Sequence, residues 1–360
     1  MVAPLSFLLG LAALIVGAEI LVRGASKLAL RFGISPLVVG LTVVSLGTSA
    51  PELAVSVQSA MSNQADIAVG NVVGSNILNV LFILGLSALI TPLIIDRQLI
   101  RQEVPIMVGT CLLLAVLAWD GSLSRIDGLI LACLLVVYTA FLIVQSRRQE
   151  TSADPDAQAN ADPGSGWDSN LPVQIAMIVA GLILLVLGAG WLVQAAVTFA
   201  KLLGVSEMVI ALTIVAVGTS LPEVATSITA AIRGERDIAV GNVVGSNIFN
   251  ILGVLGISSA VAPVGLSIAP AMTAFDIPVM IAVAIACLPI FFTGNLIARW
   301  EGALFLALYV GYTVYLVMAA QQHDALSTYG LVLGTVVLPL CVLTVGVITW
   351  REWRGRHGSS

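Results

Sequence analysis

Charged side chains are scarce in this chain. Only 10% of its 360 residues are Asp, Glu, Lys or Arg, whereas 59% are hydrophobic, and the mean hydropathy is +1.06. A typical soluble domain has about a quarter of its residues charged. The chain therefore lacks the inventory for a water-facing surface, and we predict a polytopic membrane protein.

Histidine and cysteine are also rare, with two and four copies. Both histidines fall outside the apolar segments, in a loop and a tail, which argues against a histidine-based metal site or catalytic triad. The cysteines occur singly inside apolar segments, without paired or metal-ligand spacing, so we interpret them as packing residues. These residues are His323 and His357, and Cys111, Cys133, Cys287 and Cys341.

Apolar runs of about twenty residues, the length that crosses a bilayer as a helix, are abundant. The N-terminus has no basic region, so the first run is interpreted as a retained helix and not as a cleaved signal. The fold class predicted is all-α. We predict eleven spans, at 4–22, 36–61, 67–92, 104–119, 126–146, 172–200, 205–232, 238–262, 271–293, 301–320 and 327–350.

One long polar stretch, residues 147–171, divides the spans into five and six. It is rich in Asp, Ala, Pro, Gly and Ser and has no periodicity, which is typical of a flexible linker. The predicted organisation is a five-helix unit at 1–146, the linker, a second five-helix unit at 172–320, and an extra helix with a basic tail at 321–360.

The basic residues test this count of spans. With the N-terminus outside, the predicted outer segments contain only Arg125 and Lys201, and the other 13 basic residues fall inside. This split is what the positive-inside rule expects, and it places the C-terminus in the cytoplasm. The inner set is Arg23, Lys27, Arg31, Arg97, Arg101, Arg147, Arg148, Arg233, Arg236, Arg299, Arg351, Arg354 and Arg356.

Residues 41–85 recur at residues 212–256, with 27 identities in 45 positions. Such a duplication fixes the architecture. Because each unit contains an odd number of spans, the second copy enters the membrane from the opposite side, and the two units form an inverted pair. The shared residues are mostly Gly, Thr, Ser, Pro, Glu and Asn, which predicts one ion site built from both halves.

The first helix of each copy carries a break followed by an acid, GTSAPE at 47–52 and GTSLPE at 218–223. Proline removes a backbone hydrogen bond and displaces the carbonyl of the preceding turn. Freed carbonyls within hydrocarbon need a partner, and hard cations such as Na⁺ and Ca²⁺ prefer oxygen. Glu52 and Glu223 add carboxylate oxygens at the same depth.

The second helix of each copy carries a polar motif, GNVVGSNILN at 70–79 and GNVVGSNIFN at 241–250. Residues four apart on a helix share a face, so a serine and an asparagine of each motif point the same way. No nitrogen or sulfur ligand is among these groups, which favours Ca²⁺ and Na⁺ over zinc or copper. The pairs are Ser75 with Asn79, and Ser246 with Asn250.

Charge balance narrows the choice of ion. A lone ionised acid at the bilayer centre costs at least about 2.5–3.5 kcal/mol, so two facing acids need compensation. One divalent cation neutralises both glutamates, and so do two or more monovalent ions or two protons. The site is therefore expected to alternate between Ca²⁺ and a set of Na⁺ or H⁺.

Other polar residues near these helices have structural interpretations. The glycines of the 70–79 and 241–250 motifs suit either close helix packing or the site. Asn71 and Asn242 are candidates for bridging helices by hydrogen bonds. We predict that Asp66 and Asp237 are N-caps. Elsewhere, first-turn acids favoured by the helix dipole are expected at Glu103 and Asp276, and an interfacial acid at Glu19.

The doubled motifs GTSAPE/GNVVGSNILN and GTSLPE/GNVVGSNIFN resemble the two alpha-repeats of the cation/calcium antiporter superfamily, and most closely those of its prokaryotic sodium/calcium exchangers. The resemblance extends to about residue 320. It implies ten core helices in two inverted five-helix halves, to which the eleventh span is an addition. It also implies that four short kinked helices hold the site while the first helix of each half slides across it.

By position, the resemblance implies a set of cation ligands in this chain. Both copies have asparagine where some relatives have an aspartate, so a third carboxylate is absent. The implied set is the carboxylates of Glu52 and Glu223, the main-chain oxygens of Thr48, Thr219, Ser45 and Ala216, and the side chains of Ser49, Ser220, Ser75, Ser246, Asn79 and Asn250.

The function expected is a secondary antiporter, not an enzyme, that exchanges Ca²⁺ for Na⁺ by alternating access in a prokaryotic inner membrane. The alternative is a Ca²⁺/H⁺ antiporter or another divalent cation/Na⁺ exchanger. A passive channel or an intramembrane enzyme fits less well, since duplicated halves suit a site exposed alternately and no Ser/His or Asp pair is placed for catalysis. The expected partners are the transported ions and membrane lipid, with no nucleic acid and no cofactor beyond those ions.

Overall fold

Long helices make up most of the protein. A computed structural model of the chain describes residues 3–152, 170–203, 216–292, 294–323, 325–339, 341–344 and 346–347. The helices are α1 (Ala3–Phe32), α2 (Pro36–Thr48), α3 (Ala50–Met61), α4 (Ala65–Ile90), α5 (Leu99–Asp120), α6 (Arg125–Ser152), α7 (Leu171–Leu202), α8 (Ala216–Gly218), α9 (Leu221–Ile232), α10 (Arg236–Val261), α11 (Met272–Phe292), α12 (Arg299–Ala320) and α13 (Leu326–Val332).

Among the described residues, eight helices are long and apolar enough to cross a membrane, or nine when the bent pair α2 and α3 counts as one span. This confirms the prediction of an all-α polytopic membrane protein. The seventh predicted span, 205–232, is described from residue 216 onward, where it contains the short apolar helix α9. The eleventh predicted span, 327–350, is described in parts, and the basic tail at 351–360 lies outside the described residues.

Some helices are longer than predicted. The first extends to Phe32, well beyond the predicted end at residue 22. The sixth extends to Ser152, so the first residues of the predicted linker are helical, while residues 153–169 lie outside the described part of the chain. Hydropathy identifies only the apolar stretch of a helix, and polar turns that continue it are missed for that reason.

The two copies of the repeat share their irregularities. α2 ends at Thr48 and α3 starts at Ala50, with an angle of 45° between them. The residue at the break, Ser49, has φ −83° and ψ 7°, and its counterpart Ser220 has φ −88° and ψ 7°. Each following helix has proline within its first two residues, where the missing N–H is harmless. The break expected from the Pro–Glu motifs is therefore present in both copies.

α4 and α10 occupy the centre of the structure. Every residue of α10 from 238 to 255 is buried, which is the pattern of a helix surrounded by other helices. Each of the two helices widens into a π-helical stretch, at Asn79–Leu84 in α4 and at Asn250–Leu255 in α10. Such wide turns are frequent at functional sites.

Two short antiparallel ribbons join the repeats. In the first, β1 (Leu93–Ile94) pairs with β4 (Leu296–Ile297). In the second, β2 (Ser122–Leu123) pairs with β3 (Leu266–Ser267). Strands can pair only if their loops lie on the same side of the membrane. The predicted topology puts β1 and β4 inside and β2 and β3 outside, so the ribbons agree with the alternation of spans.

α1 and α7 pack closely against each other in antiparallel orientation. A Cβ built at Gly17 would lie 2.9 Å from the carbonyl oxygen of Gly181, and one built at Gly10 would lie 2.8 Å from that of Gly188. The two contacts are equivalent under the repeat. Small residues of this kind let helix backbones approach each other within a membrane.

The predicted inner end of α1 contacts the loop that follows α9. Glu19 forms an ion pair with Arg233, and Ser26 Oγ donates a hydrogen bond of 2.7 Å to Glu235 Oε1. The Glu19 side chain is 34% exposed, in keeping with the interfacial position predicted for it.

Two of the structural interpretations are wrong. Asp66 and Asp237 are not N-caps: they lie inside the first turn of helices whose N-caps are Gln64 and Glu235. The N-cap prediction placed the helix starts too late, because the residue ahead of each aspartate is already helical. An acid in the first turn is still favoured by the helix dipole.

Glu103 and Asp276 are also not first-turn acids. α5 and α11 begin a full turn earlier, in the π-helical stretches Leu99–Glu103 and Met272–Asp276. The two acids bind tyrosines instead: Tyr138 Oη donates to Glu103 Oε2 at 2.7 Å, and Tyr312 Oη donates to Asp276 Oδ1 at 2.8 Å. These equivalent bonds tie α5 to α6 and α11 to α12.

The α1–α7 contact predicts a sharp dependence on glycine. In a Gly181→Val variant the new Cβ would lie 2.8 Å from the Gly17 oxygen and 2.8 Å from the Leu21 nitrogen. Because both are backbone atoms, the helices must separate. We therefore expect the free energy of unfolding to fall by about 1–3 kcal/mol. Thermal unfolding of the purified protein in detergent measures the loss.

The matched control is Gly190→Val in the same helix. Gly190 is exposed, and no described atom lies within 4 Å of a Cβ built there. This variant should unfold at the wild-type temperature or slightly above it. Equal unfolding temperatures for the two variants would contradict the close packing of α1 on α7.

Candidate functional site

Two carboxylates are buried where the broken helices meet. Glu52 and Glu223 are each only 1% exposed, and each lies in the first turn of the helix that follows the break, α3 or α9. A helix N-terminus carries partial positive charge, which stabilises an acid there. An unpaired carboxylate in such a dry interior is nevertheless costly, so its hydrogen-bond partners matter.

Each carboxylate accepts a hydrogen bond from a serine of the other repeat. Ser49 Oγ donates to Glu223 Oε1 at 2.8 Å, and Ser220 Oγ donates to Glu52 Oε1 at 2.8 Å. Each serine lies three residues before the glutamate of its own repeat and donates to the glutamate of the opposite repeat. The two predicted acids are therefore brought together, and the arrangement is reciprocal, as expected of an inverted pair.

Several buried oxygens on the two glutamates and on the polar helices α4 and α10 have no hydrogen-bond partner among the described residues. They include the second oxygen of each glutamate and the side-chain oxygen of each predicted asparagine. Buried polar atoms are almost always paired, so such a group needs a further occupant. The atoms are Glu52 Oε2, Glu223 Oε2, Asn79 Oδ1, Asn250 Oδ1 and Ser246 Oγ.

These unpaired atoms are all oxygens, and two of them belong to carboxylates. This donor set suits a hard cation such as Ca²⁺ or Na⁺. Among the described residues, no group of three or more His, Cys, Asp or Glu side chains lies close enough together to hold a metal ion. A cation here would be bound by two charges and several neutral oxygens.

The predicted bridging role of Asn71 and Asn242 is present. Asn71 Nδ2 donates to Ser56 Oγ at 3.0 Å and to the Glu52 main-chain oxygen at 3.3 Å. In the other repeat, Asn242 Nδ2 donates to Ser227 Oγ at 2.9 Å. These bonds join each glutamate helix to the polar helix of the same repeat.

The threonine hydroxyls connect the two repeats. Thr48 Oγ1 donates to Asn242 Oδ1 at 3.1 Å, and Thr219 Oγ1 donates to Asn71 Oδ1 at 3.2 Å. A ligand role for the main-chain oxygens of the two threonines stays a prediction.

The remaining predicted residues fall into different situations. Ser75 Oγ lies 3.0 Å from Ser220 Oγ, within the same cluster. The Ser45 main-chain oxygen already accepts from Ser49 N at 3.0 Å. The main chain of Ala216 lies in the short helix α8. A ligand role for the main chain of Ser45 or Ala216 stays a prediction.

Burial around the site is unequal in the two repeats. Thr48 and Asn242 are fully buried, whereas the equivalent residues of the opposite repeats, Thr219 and Asn71, are half-buried. The contact between Thr219 and Asn71 is therefore less buried than the equivalent contact between Thr48 and Asn242.

Sequence reasoning gave no role to Asn76 and Asn247, which are 1% and 2% exposed. Both bond across the repeat to the predicted ligand asparagines, Asn250 and Asn79. Both copies have asparagine at this position inside an apolar helix, which could have indicated a role. The four-residue spacing selected the helix face of Ser75 and Asn79 instead, and these two asparagines lie off that face.

A family model described as sodium/calcium exchanger protein matches residues 2–144 and 173–318. The inner membrane protein YrbG of Escherichia coli is 38% identical over 79% of this chain and 87% of its own length. The putative antiporter CaxA of Alkalimonas amylolytica is 38% identical over 87% and 98%, and the sodium/calcium exchanger MaX1 of Methanosarcina acetivorans is 35% identical over 87% and 97%.

Solved structures of the sodium-calcium exchanger NCX_Mj are similar to this one. The structure soaked with zero Na⁺ and Ca²⁺ superposes with a TM-score of 0.73 at 32% identity, and it covers 86% of this chain and 96% of that one. Other structures in the series were soaked with Na⁺ and Ca²⁺ or with Na⁺ and Sr²⁺. The resemblance in sequence thus extends to the helical architecture with inverted repeats.

The reciprocal serine bonds predict matched effects on cation binding. Ser49→Ala removes the hydrogen bond to Glu223, and Ser220→Ala removes the equivalent bond to Glu52. A hydrogen bond to a charged group contributes about 1.5–3 kcal/mol, so each variant should bind Ca²⁺ at least about tenfold more weakly. Isothermal titration calorimetry of the purified protein measures both.

Ser87→Ala is the control, since Ser87 is buried and its Oγ has no hydrogen-bond partner among the described residues. Its Ca²⁺ affinity should equal that of the wild type. Unchanged affinity in both Ser49→Ala and Ser220→Ala would show that the reciprocal bonds do not contribute to cation binding.

Proposed function

This chain belongs to the sodium/calcium exchanger family, and we propose that it exchanges Ca²⁺ for Na⁺ across the membrane through the site around Glu52 and Glu223. The family makes it a cation/calcium antiporter of the membrane. The finer assignment depends mainly on one observation, the pair of buried carboxylates that share reciprocal serine donors and each keep one oxygen unpaired.

Charge balance explains why such a site favours exchange. Two carboxylates in a dry interior need about two positive charges nearby. Without them, the change that exposes the site to the other side of the membrane has a large electrostatic cost. One Ca²⁺ supplies them, and so do two or more Na⁺. An empty site leaves the charges uncompensated, so the conformational change is favoured only when cations are bound, and a leak is suppressed.

The donor set extends from the carboxylates along both polar helices. We propose as ligands the carboxylates of Glu52 and Glu223, the side-chain oxygens of Asn79 and Asn250, and the hydroxyls and main-chain oxygens predicted from the sequence. Neutral oxygens distributed on both sides of two charges allow several Na⁺ to be spread out where one Ca²⁺ would sit at the centre.

Alternating access is proposed to follow from the duplicated halves. The site is built from both repeats, so each repeat can close it from one side of the membrane. From the distribution of the basic residues we propose that the N-terminus lies outside and the C-terminus in the cytoplasm. The inner-membrane name of the Escherichia coli relative supports a prokaryotic inner membrane as the location.

A flux experiment in vesicles tests the exchange. The purified protein in liposomes loaded with Na⁺ should accumulate Ca²⁺ when diluted into Na⁺-free buffer that contains Ca²⁺, because the outward Na⁺ gradient supplies the driving force. Replacing internal Na⁺ with K⁺ or choline should abolish uptake. Radioactive ⁴⁵Ca²⁺ retained in the vesicles is the measurement.

The same vesicles separate the alternatives. Uptake driven by a pH gradient and not by Na⁺ would replace the proposal with Ca²⁺/H⁺ exchange. Uptake of another divalent cation in place of Ca²⁺ would indicate a different divalent/Na⁺ exchanger. Uptake without any counter-ion, and without saturation, would indicate a passive channel.

Neutralising one glutamate should stop transport. Glu52→Gln and Glu223→Gln each remove half of the charge that binds the cation while preserving side-chain volume. Removing one partner of a buried charge pair costs about 3–5 kcal/mol, so Na⁺-driven Ca²⁺ uptake should fall at least about 100-fold.

Glu103→Gln is the matched control, because Glu103 is buried as deeply but lies outside the site and bonds Tyr138, Gln98 and Gln102. Its uptake should remain near the wild-type rate, and all three variants should elute as folded protein. Wild-type uptake in either Glu52→Gln or Glu223→Gln would exclude the proposed site.

A further inference from the structure

We infer that Asn76 and Asn247 are positioning residues that turn the side-chain oxygens of Asn250 and Asn79 towards the cation. This inference rests on the proposed function, since it concerns the orientation of two of the proposed ligands. Neither residue is itself placed as a ligand. Each one acts on the repeat to which it does not belong.

The orienting bonds are reciprocal. Asn250 Nδ2 donates to Asn76 Oδ1 at 3.0 Å, and Asn79 Nδ2 donates to Asn247 Oδ1 at 2.9 Å. With its nitrogen held in this way, each ligand asparagine has its Oδ1 at the other end of the amide group, turned away from Asn76 or Asn247. Those are the two amide oxygens that are buried without a partner.

The direction of each amide is fixed by partners that can only accept. Asn76 Nδ2 donates to the main-chain oxygen of Asn247 at 3.2 Å and to Met280 Sδ at 3.7 Å. A carbonyl oxygen and a thioether have no hydrogen to donate. The nitrogen end of Asn76 must therefore face them, and its oxygen must face Asn250.

The mirror-image contacts fix the other amide. Asn247 Nδ2 donates to the main-chain oxygen of Asn76 at 3.4 Å and to Met107 Sδ at 3.5 Å. Met107 and Met280 are both buried and lie on the equivalent helices α5 and α11. The backbone oxygens and methionine sulfurs thus orient Asn76 and Asn247, and these two residues in turn orient the ligand asparagines.

Orientation matters because an amide has two ends of opposite polarity. A free asparagine can present either its oxygen or its NH₂ group, and the NH₂ group repels a cation. A carboxylate, in contrast, presents oxygen in either orientation. A site with asparagine at both of these positions therefore needs contacts that keep the NH₂ groups away from the cation. Asn76 and Asn247 provide these contacts.

The variant Asn76→Leu tests this inference. Leucine branches at Cγ as asparagine does but cannot accept from Asn250, whose amide is then free to turn. The Ca²⁺ affinity, measured by isothermal titration calorimetry on the purified protein, should fall about 10- to 100-fold. A wild-type affinity in this variant would overturn the inference.

Rescue separates positioning from a structural role. In Asn76→Leu combined with Asn250→Asp, the ligand presents oxygen in any orientation, and Ca²⁺ affinity should return to within a few-fold of the wild type. The matched control is Asn76→Leu with Asn79→Asp, which adds the same charge at the site but leaves Asn250 unoriented. It should not be rescued, and equal rescue by both would mean that charge and not orientation was restored.

The mirror-image variant Asn247→Leu, rescued by Asn79→Asp and not by Asn250→Asp, repeats the test on the other repeat. If neither leucine variant folds, Asn76 and Asn247 are structural and the inference fails. Calorimetry also separates this inference from the proposed function. A wild type that binds Ca²⁺ but shows no Na⁺-driven uptake contradicts only the exchange, and one that binds no Ca²⁺ contradicts the positioning as well.

Discussion

Two negative charges held close together in a dry interior are the constraint on which this structure depends. Glu52 and Glu223 are surrounded by neutral donors, and each receives its hydrogen bond from a serine at the opposite break. The serine bonds orient the acids but do not neutralise them. No described basic side chain is bonded to them, so their neutralisation requires bound cations or protons. The helix breaks, the glycines and the asparagines around the acids are best understood as consequences of that requirement.

The contacts that build the site run between the repeats and seldom within one. Ser49 and Ser220, the two threonines, and the two pairs of asparagines all bond to the opposite half. The ribbons at the two ends of the bundle are likewise made of one strand from each half. Neither half therefore contains by itself the hydrogen-bond partners that its polar groups need. The ligands proposed for the cation are likewise divided between the two halves.

Much of this arrangement was predictable from the sequence, because it was recorded twice. The apolar runs predicted most of the described helices, the proline of each motif predicted the break, and the two acids inside apolar sequence predicted the centre of the candidate site. The roles of Asn76 and Asn247 were not predictable, since they depend on which atoms face a carbonyl or a sulfur on another helix. The Glu103–Tyr138 contact was missed for the same reason. Helix ends were misplaced where polar turns continue the helix, as in α1 and at Asp66 and Asp237.

The link between α1 and the loop after α9 has no equivalent in the other half. Under the repeat, Glu19 and Arg233 correspond to Gly190 and Ser62, which cannot form an ion pair. Under the alternating access proposed above, two arrangements that exchange the roles of the halves therefore differ in energy. A partly exposed pair contributes about 0.2–1 kcal/mol, so on that proposal the link favours one arrangement over the other by less than tenfold. A modest ion gradient would outweigh a preference of that size.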